Sequence, residues 1–175
     1  MSDEIALANA ARLFGRLTIG AIDRELAEEL WEPERREALA RLGIELPDGT
    51  RCDLERLAAE YIEAFAESPR HLPLVQSMCE AGHPEGAAAS AVREIAGAMG
   101  VELDDEAVRS APEDHLGVEL LLWAELAEER SVAREFAASH LVWALPHLDR
   151  RSTGEGFDAR LAGVIAEFIQ VISSR

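Results

Sequence analysis

Lysine is absent from this 175-residue sequence, so all 17 basic residues are arginines, set against 34 aspartates and glutamates for a formal net charge of −17. That balance excludes a basic face for nucleic acid, because phosphate contacts need clustered positive side chains. It equally excludes a lysine-based phosphate loop or Schiff base. An acidic surface draws in basic peptides and repels anionic lipid headgroups, and it also serves simply as a solubility charge.

Cysteine is scarce: Cys52 and Cys79 are too few for a disulfide framework and show no CxxC spacing, so idle thiols in a reducing compartment are expected. No apolar run approaches the ~20 residues that span a bilayer, and Met1 to Glu4 offers neither the basic start nor the apolar stretch of a signal peptide. A cytoplasmic protein without stable membrane insertion is expected. β-Branched runs of strand length are missing too, and aromatics make up only 5%. What is abundant is alanine and leucine with Glu and Arg, a helix-forming composition. The chain reads as all-α, one domain over 1–175, a bundle of about seven to nine helices.

Periodicity places the first helix over Asp3–Leu17, with Leu7, Ala10, Ala11, Phe14 and Leu17 on one face. Shorter helices are expected at Ile22–Leu30 and Pro33–Leu42, and Leu46 to Thr50 reads as a turn. Asp53 is placed to cap a helix carrying Leu54, Leu57, Ala58, Tyr61 and Phe65. N-terminal helices thus fill 1–67 and C-terminal helices 86–175. Between them, 68–85 reads as a loop interrupted by Pro69, Pro73, Gly82 and Pro84, of a length that is usually functional. A helix from about Gly86 should stop at Gly100 in a left-handed conformation. After an acidic connection, Ser110-Ala-Pro-Glu113 has the form of a capping box. It should open a helix running to about Arg130, buried on all sides around Leu120-Leu-Leu-Trp123. Ser131 is placed to cap the next helix, Pro146 to end it, and His147–Gly156 reads as a polar connection. The last helix carries Phe157, Leu161, Val164, Ile165, Phe168 and Ile172 on one side.

Asp114-His115 is the most informative pair. The spacing puts both in the first turn of the central helix, with Glu119 one turn on. A helix start favours the Asp114 charge and disfavours imidazolium, so His115 should be neutral, donating through one nitrogen and accepting through the other. Such a group can clamp a backbone or an arginine. Equally open is that Glu113 and Asp114 serve only the helix start while His115 bonds a neighbouring loop. Phe136, His140 and Trp143 share a stripe that suits a core as well as a site. Metal-ligand spacing is weak: only His83 has an acid three residues earlier, Glu80. A helical metalloprotein or hydrolase using Asp114, His115, Glu119 and His140 is the alternative, and a scaffold module without a groove is another. No Gly-x-Ser-x-Gly elbow or phosphate loop occurs, so no catalytic residue, metal or cofactor is assigned.

Three stretches together resemble the TorD/DmsD/NarJ family of chaperones for molybdenum-containing redox enzymes. Tyr61 to Phe65 running into Ser68–Pro73 looks like the family's Y-x-x-L-F helix and Pro-rich loop. Pro112 to His115 with Glu119-Leu120 is similar to its E-x-D-H-x-x-x-E-L signature, with one residue fewer between Glu and His. Phe136 to Trp143 is similar to F-L-x-x-H-L-x-x-W. Leu74-Val-Gln-Ser77 stands where the family often has P-Y-E-S, and Leu122-Trp123 where Phe-Met is usual.

The resemblance implies a TorD-like helical fold, monomeric or domain-swapped, and a partner: the leader of an oxidoreductase catalytic subunit, held until its molybdenum cofactor is inserted. It also implies leader contacts at Asp114, His115, Glu119, Pro73, Gln76, Arg70, Tyr61 and Trp143. Asp114 and His115 are expected to open a recess between helices. Replacing either by alanine should then weaken leader binding at nearly unchanged thermal stability.

Overall fold

The computed structural model describes residues 3–47, 51–65, 73–82, 86–101, 108 and 111–174. Residues 48–50 of the expected turn, the loop residues 66–72 with Arg70, 83–85 with His83, the connection 102–107 and the cap Ser110 lie outside the described residues.

Every regular element described is helical: α1 (Asp3–Ile19), α2 (Arg24–Leu30), α3 (Pro33–Arg41), α4 (Arg51–Ala64), α5 (Gln76–Ala81), α6 (Ala87–Met99), α7 (Leu116–Leu126), α8 (Arg130–His140), a 3-10 turn (Val142–Ala144), α9 (Leu145–Arg151) and α10 (Phe157–Ser174). The all-α expectation holds. The centre is α7, in which every residue except Glu125 is buried, as its unbroken apolar run requires. Against it lies α1, through Ala8, Ala11, Phe14 and Leu17, while α10, which buries Phe157, Leu161, Ile165, Phe168 and Ile172, packs on α9, α8 and α4 and meets α7 at Phe168. Phe168 joins the three helices, with its ring centroid 5.3 Å from Phe14 and 5.7 Å from Trp123, both edge-on.

Two glycines set the depth of the α1–α7 crossing. A Cβ on Gly117 would lie 2.7 Å from the Gly15 carbonyl and 2.4 Å from Ile19 Cγ1, and one on Gly15 would lie 2.8 Å from the Gly117 carbonyl. The backbones touch, which no larger residue allows.

Local expectations fail at five places. Helix α4 begins at Arg51, so Asp53 is a first-turn acid paired with Arg56 at 3.6 Å rather than the cap. Residues 76–81 of the expected loop form α5, bounded by Pro73 ahead and by Gly82 at φ +78° behind. Helix α7 begins at Leu116, not at Ser110, because the His115 ring is its N-cap; Asp114 and His115 precede the helix. It ends at Leu126, and Glu129 rather than Ser131 is the N-cap of α8. Pro146 opens α9 instead of ending α8, since a first-turn residue has no amide bond to lose. The chain therefore breaks after His140, and Trp143 sits in the 3-10 turn, not on the stripe of α8. Gly100 ends α6 at φ +66°, as expected.

The glycine contact gives a direct test. In an open helix Gly→Ala gains up to about 1 kcal/mol, but overpacking costs about 1–3 kcal/mol. Gly117→Ala is expected to lower the thermal midpoint, whereas Gly97→Ala, with nothing within 4 Å of its added Cβ, should raise it or leave it unchanged. Equal midpoints for the two variants in calorimetry would contradict the crossing.

Candidate functional site

The segment Leu74–Ser77 and the segment Asp114–Gly117 cap each other's helices. The first amides of any helix lack intrahelical acceptors, and a buried start needs partners for them. At α5, the Gln76 amide donates to the Asp114 carbonyl (2.9 Å) and the Ser77 amide to Asp114 Oδ2 (2.8 Å). At α7, the Leu116 amide donates to the Leu74 carbonyl (2.8 Å) and the Gly117 amide to His115 Nδ1 (3.1 Å). Between them Val75 and His115 form a single antiparallel bridge. Asp114 is wholly buried and His115 nearly so. The expectation of a recess opened by these two side chains is therefore corrected: both are committed to backbone amides inside the fold. The other reading has the roles reversed: the His115 ring caps the helix start, Asp114 bonds the neighbouring segment, and Glu113 pairs with Arg93.

His115 is neutral. Burial pushes its imidazole down to about 4, against a smaller upward pull from Asp114. Accepting from Gly117 leaves Nδ1 without hydrogen, so the ring proton sits on Nε2.

A second layer lies beside the first. Glu119, also wholly buried, receives at Oε2 the indole N–H of half-buried Trp143 (3.0 Å), which is shared with the His140 carbonyl (2.9 Å). Burial holds the Glu119 carboxyl well above the ordinary carboxylate range; Trp143 opposes this, and Asp114 and Glu80 push it further up. Gln76 Nε2 donates to Glu80 Oε1 (2.9 Å), and the His140 ring stacks on Phe136 at 4.9 Å. The structure thus gathers Gln76, Asp114, His115, Glu119 and Trp143 around one junction, with Pro73 half-buried just ahead of it. Tyr61 reaches the region through α1, its hydroxyl donating to the Thr18 carbonyl (3.1 Å) beside Gly117. Arg70 lies outside the described residues.

Two participants escaped the sequence: the Leu74 carbonyl, which carries no side-chain signal, and Glu80, whose i,i+4 spacing from Gln76 was legible. Cys79 does approach His147, Sγ to Nδ1 3.8 Å, but burial raises its thiol, which disfavours a nucleophilic thiolate. Among the described residues no three His, Cys, Asp or Glu side chains are placed to hold a metal ion. The metalloprotein alternative thus finds no assembled donor set among the described residues.

A family model described as the nitrate reductase delta subunit matches residues 27–146. No curated protein gives a match. Among solved structures, a candidate redox enzyme maturation protein from Archaeoglobus fulgidus superposes with a TM-score of 0.63 at 20% identity, covering 97% of this chain and 95% of that one. At that identity the likeness shows a shared fold.

Asp114→Ala would leave the Ser77 amide buried without an acceptor, a loss of about 1–3 kcal/mol. A lowered thermal midpoint is expected, with Asp114→Asn, which keeps a carbonyl acceptor, less affected; an unchanged midpoint in the alanine variant would remove Asp114 from its capping role. For His115 the sign follows from its depressed value. Between pH 6.5 and about 4 the unfolded chain takes up a proton that the folded chain refuses, so stability falls as pH drops through that window. Chemical denaturation at stepped pH should show a shallower acid slope in His115→Gln; identical slopes would contradict the buried neutral cap.

Proposed function

Since the chain belongs to the nitrate reductase delta subunit family, the NarJ/TorD type of redox enzyme maturation chaperone and not an enzyme, we propose that it binds the N-terminal leader of a molybdenum-containing oxidoreductase subunit. In this reading it acts in the cytoplasm and holds its client until the cofactor is inserted, ahead of export or membrane docking. Among the described residues no helix is long and apolar enough to cross a membrane.

The observation that carries the proposal is the junction itself. Asp114, His115, Glu119 and Trp143, the residues most specific to the family resemblance, meet at one place instead of being dispersed through the core. Their roles divide. Asp114 and His115 position the Pro73–Ser77 segment, and Pro73, Gln76, Glu119 and Trp143 are the groups proposed to meet the leader. Tyr61 supports the arrangement through α1.

A leader of this kind pairs a basic patch with an apolar helix. An exposed Arg–carboxylate pair supplies only about 0–1 kcal/mol, so burial of the apolar helix, at about 25 cal/mol per Å², must supply most of the affinity. The charge of −17 speeds encounter and fixes direction.

Calorimetric titration with a synthetic peptide of two arginines followed by an apolar helix is expected to give saturable binding. A control in which the apolar residues become serine should lose most of it. Absence of saturable heat with the parent peptide would refute leader binding and favour a scaffold without a binding groove.

A further inference from the structure

Two acidic side chains from different helices come together at the start of α10. Asp158, in the first turn of that helix, is only 5% exposed. Glu60, half-buried on α4, lays its carboxylate over Gly156, where a Cβ would lie 3.0 Å from Oε2. Gly156 itself sits at φ +107°, a backbone conformation that favours glycine. Among the described residues, Asp158 Oδ2 and Glu60 Oε2 are both buried without a hydrogen-bond partner.

A buried acceptor without a donor destabilises the fold, and more so when it is charged. Like charges brought together out of water add to that. A cation or a proton relieves such a pair. The nearby cation is committed elsewhere: Arg56 donates to the other oxygen of Glu60, Oε1, at 2.7 Å and pairs with Asp53 at 3.6 Å. No set of three donor side chains for a metal ion is found among the described residues. A proton remains.

We propose that Glu60 and Asp158 form a proton-operated latch between α4 and the start of α10, closed while Asp158 carries a proton and loosened when both carboxyls are charged. The latch lies apart from the junction of α5 and α7 and does not depend on what the chain binds. Its first readout is the bond from the Arg160 amide to the Gly156 carbonyl (3.2 Å), which spans it.

The electrostatic setting suits the role. Burial first, and the Glu60 charge second, push the Asp158 carboxyl up to about 7. A helix start favours a negative charge and pulls the other way, but burial outweighs it. Of the elements packed on α10, α4 brings Glu60 with Arg56, and α9 brings Arg151, whose guanidinium donates to the His147 carbonyl (2.9 Å). On α8 the buried titratable side chain is His140, stacked on Phe136, and the 3-10 turn has none. Glu155 and Arg160, on either side of Asp158, are exposed, as is Glu45 across the cleft that Arg56 and Arg160 line. Among these charges it is Glu60 that raises Asp158.

A carboxyl raised in the folded chain contributes stability that is complete below the ordinary aspartate range and is lost as pH climbs through about 7. That is opposite in direction to the contribution of His115, so the comparison is made against a variant. Thermal midpoints of the native protein and Asp158→Asn are measured from about pH 5 to about pH 9. The midpoint of the variant is expected to rise relative to the native one as pH increases and to level off on the alkaline side; a difference that stays constant overturns the latch.

Native protein answers the same question without a substitution. Carbon-detected nuclear magnetic resonance should find Asp158 titrating near 7, and ionisation in the ordinary carboxylate range overturns the proposal. Over the same pH interval, exchange of the Arg160 amide, corrected for its intrinsic rate, is expected to quicken at least tenfold while Leu120 in α7 does not. Equal behaviour of the two amides refutes local opening. Glu60→Gln should lower the Asp158 midpoint only part of the way, because burial, the larger cause, remains; an unmoved midpoint removes Glu60 from the latch and overturns it.

Discussion

Two buried helix starts that satisfy each other are the constraint on which this structure depends. Helix α7 runs through the centre of the core, so its first amides cannot turn to water. The Leu74 carbonyl and the His115 ring take two of them. Helix α5 has the same problem, and the Asp114 carbonyl and carboxylate solve it. A fixed strip of backbone, Leu74–Ser77, results on the flank of the central helix. The glycine contact between α1 and α7 makes the arrangement necessary, because it seats α7 too deep for solvent to reach its N-terminus.

That geometry changes what the Asp-His pair means. In sequence such a pair invites a role in touching a ligand, and its burial argues for one in holding the piece that does. The two roles differ in magnitude. An exposed carboxylate meeting an arginine is worth a fraction of a kcal/mol up to about 1, whereas a buried carboxylate that caps an amide carries roughly 1–3 kcal/mol of structural consequence. Loss of Asp114 would thus show first in folding and only through folding in binding. Glu119 and Gln76 differ from it, since their side chains cap no helix start and bond Trp143 and Glu80 instead.

The fold class was legible because it rests on periodicity over long windows. The apolar stripes of α1 and α10 and the unbroken run in α7 placed the three central helices to within a few residues. Short-range signals misled where a tertiary partner overrides local chemistry. Ser110 and Glu113 spell a capping box, yet the actual cap lies five residues further on, where a histidine supplies the acceptor. Pro146 reads as a stop, but after a 3-10 turn it serves as a start. Residues 76–81 look too interrupted for a helix, and the acceptors that stabilise α5 come from 37 residues further on. The site was half-legible for the same reason: Asp114, His115 and Glu119 are named by spacing, but a backbone carbonyl such as that of Leu74 leaves no mark in the sequence.

Native-state hydrogen exchange of the Gln76 and Ser77 amides tests reciprocal capping most directly, since it reads the two bonds without altering the protein. The account predicts that both exchange slowly, with protection close to that of core amides in α7 such as Leu120. Exchange of both at rates of an unstructured peptide, while α7 stays protected, would contradict it.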